Sequence, residues 1–319
     1  MSETLLFGPV ALEHPDEVLA TRGRTFHWAK GLLKARHAAD ATRLYGFCRA
    51  IDDLADEMDC VDESRRSLAT VRRSIVSGEA FNPAIADMVS LMCERGIQSE
   101  IVCELIDGIA SDLETVRIPD IDALTRYCYR VAGTVGLMMC RILDVDSDAA
   151  APHAIDLGIA MQLTNICRDV AEDAAANRRY LPATLVGDIE PNHLVAPAGS
   201  IETRARRAVG TLLDLADRYY ESGERGLAYL PVRARGSILV AARLYRAIGG
   251  VLRRRRYAYW TSRAAIPSHV KAPITLHALL MEASKPSFWR PPRDHNAKLH
   301  AAIAGLPGAS LGARECDDV

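Results

Sequence analysis

The sequence predicts an all-α protein, and three observations carry that reading. Apolar residues recur at three- and four-residue spacing along nearly the whole of the 319 residues. The pattern breaks where glycine and proline punctuate it. Alternating, β-branched runs bounded by turns are absent.

Taken in order, helices are expected over about 16–33, 38–58, 62–77, 83–95, 98–114, 121–144, 152–175, 201–222, 234–262 and 272–284. The third closes at Gly78, the fourth opens at Asn82-Pro83 and ends at Gly96, Pro119 precedes the sixth, and Pro152 opens the seventh. Residues 187–200 carry two prolines and read as a surface loop, and from 304 onward the chain reads as a tail. Mostly short connections between so many helices imply one all-α domain, residues 1–303, with a flexible C-terminal tail at 304–319.

Composition excludes several classes. A hydrophobic share of 49% and a charged share of 25% are those of a globular protein, and a net charge of −2 gives no sign of a nucleic-acid partner. The first residues carry Glu3 and Glu13 and no cationic start, which argues against a secretory leader. No stretch approaches the roughly 18 apolar residues of a membrane span. Eight cysteines form no CxxC pair and no zinc spacing, so they read as reduced small hydrophobes in a cytoplasmic protein.

Two segments carry the chemistry. In the first, Tyr45 to Glu57, Asp52 and Asp56 are four apart and share a helix face, with Asp53 beside them. Like charges at that spacing repel by a few tenths of a kcal/mol, roughly, so a compensating group is expected. A hard divalent cation such as Mg²⁺ takes carboxylate oxygens and keeps positions open for phosphate. In the second, Gln162 to Asp173, the residues Asn165, Asp169 and Asp173 follow one another every four positions as a polar stripe on an otherwise apolar helix. Acidic pairs on solvated helices are common, and either segment alone fits that reading. Their recurrence, each with an adjacent arginine (Arg49, Arg168), suits two helices facing across a central cavity that holds a diphosphate through metal and guanidinium groups.

These motifs resemble those of the squalene/phytoene synthase family over roughly residues 20–285. Tyr45-x-x-Cys48-Arg49-x-Ile51-Asp52-Asp53-x-x-Asp56 resembles the family's first signature. Gln162-x-x-Asn165-Ile166-x-Arg168-Asp169-Val170-x-Glu172-Asp173, followed by Arg178-Arg179-Tyr180-Leu181-Pro182, resembles the second. Tyr127 to Gly136 is similar to the cavity-lining helix between them.

The resemblance implies an isoprenoid-synthase-type helical bundle and a head-to-head condensation of two prenyl diphosphates. Asp52, Asp56, Asn165, Asp169 and Asp173 would hold Mg²⁺, or Mn²⁺ in its place, with Asp53 beside them. Arg49, Arg168 and Arg178 would hold phosphate oxygens. Gly23-Arg24-Thr25-Phe26 stands where relatives carry a Ser-Lys-Ser-Phe-like segment, so Arg24 keeps the charge while Gly23 loses a hydroxyl. Tyr245 and Arg263 match positions near the phosphates, and Gln162 lies on the second motif. Phe26, Tyr45, Tyr127, Tyr129 and Tyr245 are candidates to stabilise cations, or ordinary core residues. Gly133 and Gly136 each cost a helix about 1 kcal/mol and point to close approach by a ligand or by a neighbouring helix.

The run through Tyr180-Leu181-Pro182 is most similar to the phytoene-forming branch, which implies geranylgeranyl diphosphate as substrate, no nicotinamide, and a downstream desaturase. The alternative is the branch acting on farnesyl diphosphate to give presqualene diphosphate, dehydrosqualene or squalene. Squalene-forming relatives use NADPH and typically carry a C-terminal anchor, and this chain ends without one. A non-catalytic helical subunit would let the aspartates decay, and a ferritin-like di-metal oxidase needs Glu-x-x-His pairs that neither motif contains. Arg253 to Arg256, with Tyr257, Tyr259 and Trp260, reads either as a solvated helix face or as peripheral contact with the inner face of the membrane.

Overall fold

The computed structural model describes residues 19–21, 23–56, 60–145 and 147–309, without the side chains of Arg24 and Asp56. The helices are α1 (Arg24–Lys30), α2 (Ala35–Asp56), α3 (Val61–Ser77), α4 (Pro83–Arg95), α5 (Ser99–Ala110), α6 (Ile121–Cys128), α7 (Thr134–Ile142), α8 (Ala151–Ala175), α9 (Ala183–Val186), α10 (Asn192–Val195), α11 (Gly199–Arg225), α12 (Val232–Arg254), α13 (Ser268–Ala283) and α14 (Pro286–Trp289). Extended pairing among the described residues is a single bridge between Arg117 and Arg179.

The punctuation acts as the sequence implies. Gly78 and Gly96 close α3 and α4 with φ of 75° and 63°, the left-handed conformation that glycine adopts at no steric cost. Asn82 caps α4 by accepting from the Ala84 N–H, with Pro83 in the first turn.

Helix α8 is central. Fourteen of its residues are buried, and it packs against α7, α11 and α12. The main apolar core draws on every helix from α2 to α12. No helix among the described residues is long and apolar enough to cross a membrane. The seven described cysteines are free thiols.

Four expectations shift. The segment 121–144 is two helices joined by a π turn, Tyr129–Gly133, which turns the following side chains relative to those before it. Glycines let this segment meet α8 closely: a Cβ on Gly136 would stand 2.2 Å from the Ala154 carbonyl oxygen, and one on Gly158 2.3 Å from that of Ala132. Residues 187–200 are not all loop, because α10 forms there and buries Leu194 in the core. The segment 234–262 ends its helix at Arg254, after which Arg256 and Tyr257 turn the chain at positive φ. Residues 304–309 are held rather than free: Leu306 and Ala309 pack on the core, and the Tyr129 hydroxyl donates to the Pro307 carbonyl. Residues 310–319 lie outside the described part.

The basic run is divided by this geometry. Arg253 pairs with Asp214 at 3.0 Å and Asp217 at 2.7 Å, and Arg255 bonds the Ser262 carbonyl at 2.8 Å. Tyr259 is buried with its hydroxyl on the Leu194 carbonyl. Only Arg254 and Arg256 of the four arginines are exposed.

Candidate active site

A cavity of about 370 Å³ lies among α1, α2, α7, α8 and α12. It follows α8 from Asn165 back to His153, a path of about 18 Å at the helical rise. Leu44, Val135, Met139, Leu157, Met161 and Ile238 give it apolar walls. The polar side chains Asp52, Gln162 and Asn165 gather with Tyr45 and Tyr245 toward one end. A compartment of this kind suits a ligand with a long hydrocarbon tail and a charged head.

The first acidic face comes from α2. Asp52 lines the cavity, whereas its neighbour Asp53 pairs with Arg49 one turn earlier. The side chains of Asp56 and Arg24, both expected at this end, lie outside the described residues. Tyr45 explains the loss of a hydroxyl at Gly23: a Cβ there would come within 2.9 Å of the tyrosine oxygen. Phe26 bridges two tyrosines, with ring centroids 6.4 Å from Tyr45 and 5.2 Å from Tyr245. Three of the five aromatic candidates therefore meet at the cavity.

The second face comes from α8. Asn165 lines the cavity, donates to Gln162 Oε1 at 3.3 Å, and leaves its own Oδ1 buried without a partner. Arg168 grips Asp169 through its Nε at 2.8 Å. Arg263 reaches the same carboxylate from the loop after α12 through Nε at 2.9 Å and Nη2 at 3.2 Å, with Glu172 3.3 Å away. Burial opposes ionisation of Asp169, but the bonds from Arg168 and Arg263 prevail and hold it below the usual carboxylate range. Asp173, one turn on, has the opposite balance. Burial and the charge of Asp169 push it up to about 7, with Arg178 offsetting only part.

Tyr127 and Tyr129 do not join the cavity. Tyr127 donates to Asp112 at 2.8 Å and lies tilted against Tyr180 with ring centroids 4.9 Å apart, while Tyr180 donates to Asp112 at 2.6 Å. Tyr129 is buried against the Pro307 carbonyl. Arg178 is likewise absent from the main cavity and shares a smaller cleft with Asp173.

Two cavity residues escaped the sequence reading. Lys30 sits one turn after Phe26, lines the cavity, and has Nζ 3.2 Å from Thr42 Oγ1. His153 lies at the far end. The available signal for His153 was its three-residue spacing from Asp156 within an apolar stretch.

Fold and site together describe an all-α enzyme for an anion carrying a long apolar chain. A profile of the squalene/phytoene synthase family matches residues 19–270. A 15-cis-phytoene synthase of Pantoea ananas is 31% identical, over 89% of this chain and 96% of its own. A phytoene synthase of Rhodobacter capsulatus is 31% identical, over 92% of this chain and 88% of its own. The fold matches the crystal structure of a dehydrosqualene synthase with a TM-score of 0.74 at 24% identity, covering 86% of this chain and 97% of that one. The chain belongs to the squalene/phytoene synthase family, whose members are divalent-metal-dependent prenyltransferases acting on prenyl diphosphates.

Proposed function

We propose that this chain is a phytoene synthase that joins two molecules of geranylgeranyl diphosphate head to head, through prephytoene diphosphate, with release of diphosphate. The observation that carries this reading is an apolar cavity whose polar end is lined by Asp52 of one carboxylate-bearing helix and Asn165 of the other. The curated relatives named phytoene synthases support the choice of product.

The residues fit a hard divalent cation. Asn165 Oδ1 is a buried acceptor without a donor, and Asp173 is held partly neutral by burial and by Asp169. A cation would relieve both. Asp52, Asn165, Asp169 and Asp173, with Asp56, would hold Mg²⁺, which when bound supplies Lewis-acid stabilisation of the departing diphosphate. Arg49, Arg168, Arg178 and Arg263, with Lys30, would contribute guanidinium and ammonium donors to phosphate oxygens. The Arg168 and Arg263 bonds to Asp169 hold those groups near Tyr245 of the cavity lining before an anion arrives. Apolar walls exclude water while a carbocation exists, and the faces of Phe26, Tyr45 and Tyr245 favour positive charge beside them.

In the first step one allylic diphosphate ionises and its C1 cation is attacked by the double bond of the second substrate. Loss of a proton closes the cyclopropane. In the second, that product ionises, rearranges, and loses a proton to form the central double bond. No hydride is required, so no nicotinamide enters. A product assay tests this: protein with Mg²⁺ and geranylgeranyl diphosphate, without NADPH, is expected to yield a forty-carbon hydrocarbon with a central triene. A thirty-carbon product from farnesyl diphosphate alone would move the chain to the dehydrosqualene branch. No product from either would refute the reading.

A further inference from the structure

We propose that the outer faces of α1, α13 and α14 form a docking surface for an anionic lipid bilayer. Large apolar side chains stand in solvent there: Trp28 on α1, Leu276, Leu280 and Met281 on α13, and Trp289 on α14, the last four at least 49% exposed. Leu276 and Leu280 are one turn apart. Between them Ala278 is buried and Leu279 packs inward against the cluster around Ala29, so α13 is apolar on both faces. Such a helix calls for an apolar neighbour on its second side.

The patch is continuous. The Trp28 indole donates to Thr275 Oγ1 at 3.1 Å, joining α1 to α13. The Trp289 indole donates to the Ala283 carbonyl at 2.8 Å, folding α14 back on the end of α13. Both rings thus have their N–H satisfied by protein while about half of each stays exposed, Trp289 with one face on the Arg235 guanidinium 5.5 Å from its centroid, as suits tryptophans at a membrane interface.

Charge complements the patch. Arg290 and Arg293 are exposed beside Trp289 and have no ion pair among the described residues, while the exposed Lys285 is paired with Glu282 at 2.8 Å. Glu282, the acid on α13, has its charge met by Arg243 at 2.6 Å as well as by Lys285, which leaves Arg290 and Arg293 as the unpaired charges of the rim. Aromatic and aliphatic side chains rimmed by cations suit anionic headgroups.

Helix α1 links the surface to the cavity. Its inner side presents Phe26, Ala29 and Lys30 to the cavity, its outer side carries Trp28, and Leu32 is exposed in the turn that follows. One seven-residue helix therefore separates the lipid-facing patch from the hydrocarbon compartment. The surface stands on its own residues; only its purpose, loading apolar substrate and discharging apolar product, rests on the proposed reaction.

Flotation of the full chain with vesicles tests it. Wild type is expected to rise with phosphatidylcholine vesicles containing phosphatidylglycerol. Leu276→Glu/Leu280→Glu should bind about tenfold more weakly or worse. Arg290→Glu/Arg293→Glu should lose about tenfold on the anionic vesicles. Arg254→Glu/Arg256→Glu should bind as wild type, and a loss confined to that pair would move docking to the divided basic run and overturn the proposal. Wild type that stays in the pellet, or a leucine variant that floats normally, would also overturn it. Turnover in detergent micelles and helical circular dichroism should match wild type for the leucine and arginine pairs. Wild type that floats yet converts no prenyl diphosphate would remove the reaction and leave the surface standing.

Discussion

The two ends of α8 carry the same kind of side chain in opposite states. Near its start Asp156 is wholly buried, with His295 Nε2 2.7 Å from one carboxylate oxygen and His300 Nε2 2.9 Å from the other. His300 also has Nδ1 3.0 Å from the Ala309 carbonyl, so both its nitrogens face acceptors, an arrangement that favours the protonated ring. Burial works against both charges, but the pairing wins: Asp156 is held below and His300 above their ordinary values. His153 beside them donates to the Ser222 carbonyl and is kept neutral by burial, its pKa lowered to about 4. At the other end Asp169 and Asp173 crowd each other and Asn165 Oδ1 lacks a donor. Where the protein supplies every partner, the carboxylate is structural; where it leaves a deficit of positive charge, a ligand is expected to complete the set.

The sharpest test exchanges the two ends. Asp169→Ala, and Asp52→Ala on the facing helix, should lower turnover by at least about a hundredfold, because charge stabilisation at the leaving group is lost. Helical circular dichroism should stay unchanged. Asp156→Ala should do the reverse: a fold weaker by about 3–5 kcal/mol in denaturant titration, because the rings of His295 and His300 lose the buried carboxylate they share. Turnover per folded molecule should persist. An Asp156→Ala protein of normal stability and no activity would break the comparison.

The same contrast explains what the sequence could disclose. Oxygen-bearing residues four apart on one helix declare themselves locally, so the sequence could nominate Asp52, Asn165, Asp169 and Asp173, and the helix ends closed by Gly78 and Gly96 were legible. Arg263 was reachable only through the family resemblance, since its contact with Asp169 spans 94 residues. The Asp156 cluster was not legible, because His295 and His300 come from 139 and 144 residues away. Tyr127 and Tyr129 came from the resemblance, with ordinary core packing as the alternative, and their hydroxyls are taken by Asp112 and the Pro307 carbonyl, partners 15 and 178 residues away that no local pattern announces. Apolar periodicity also placed α13 but gave no sign that its second face would meet solvent.

The smallest predicted effect is the most discriminating between the two ends, because it depends on the sign of a pH dependence. Asp173, raised to about 7 by burial and by Asp169, keeps in the folded state a proton that the unfolded chain releases in the ordinary carboxylate range. The folded state therefore binds more protons over that interval, and its stability should fall as pH rises from about 4 to about 7. Discounted for a partly wet position, the loss is about 2 kcal/mol. Asp156 acts oppositely: its stabilisation is present at neutral pH and disappears as pH falls through its depressed value. Thermal unfolding across this range should show the Asp173 slope in wild type, and Asp173→Asn should remove it. Mg²⁺ with inorganic diphosphate should also flatten it, since a cation favours the ionised carboxyl, and should bind more tightly at pH 8 than at pH 6. Asp156→Asn should leave the Asp173 slope in place, and a slope that vanished with Asp156 instead would assign the titration to the structural end of the helix.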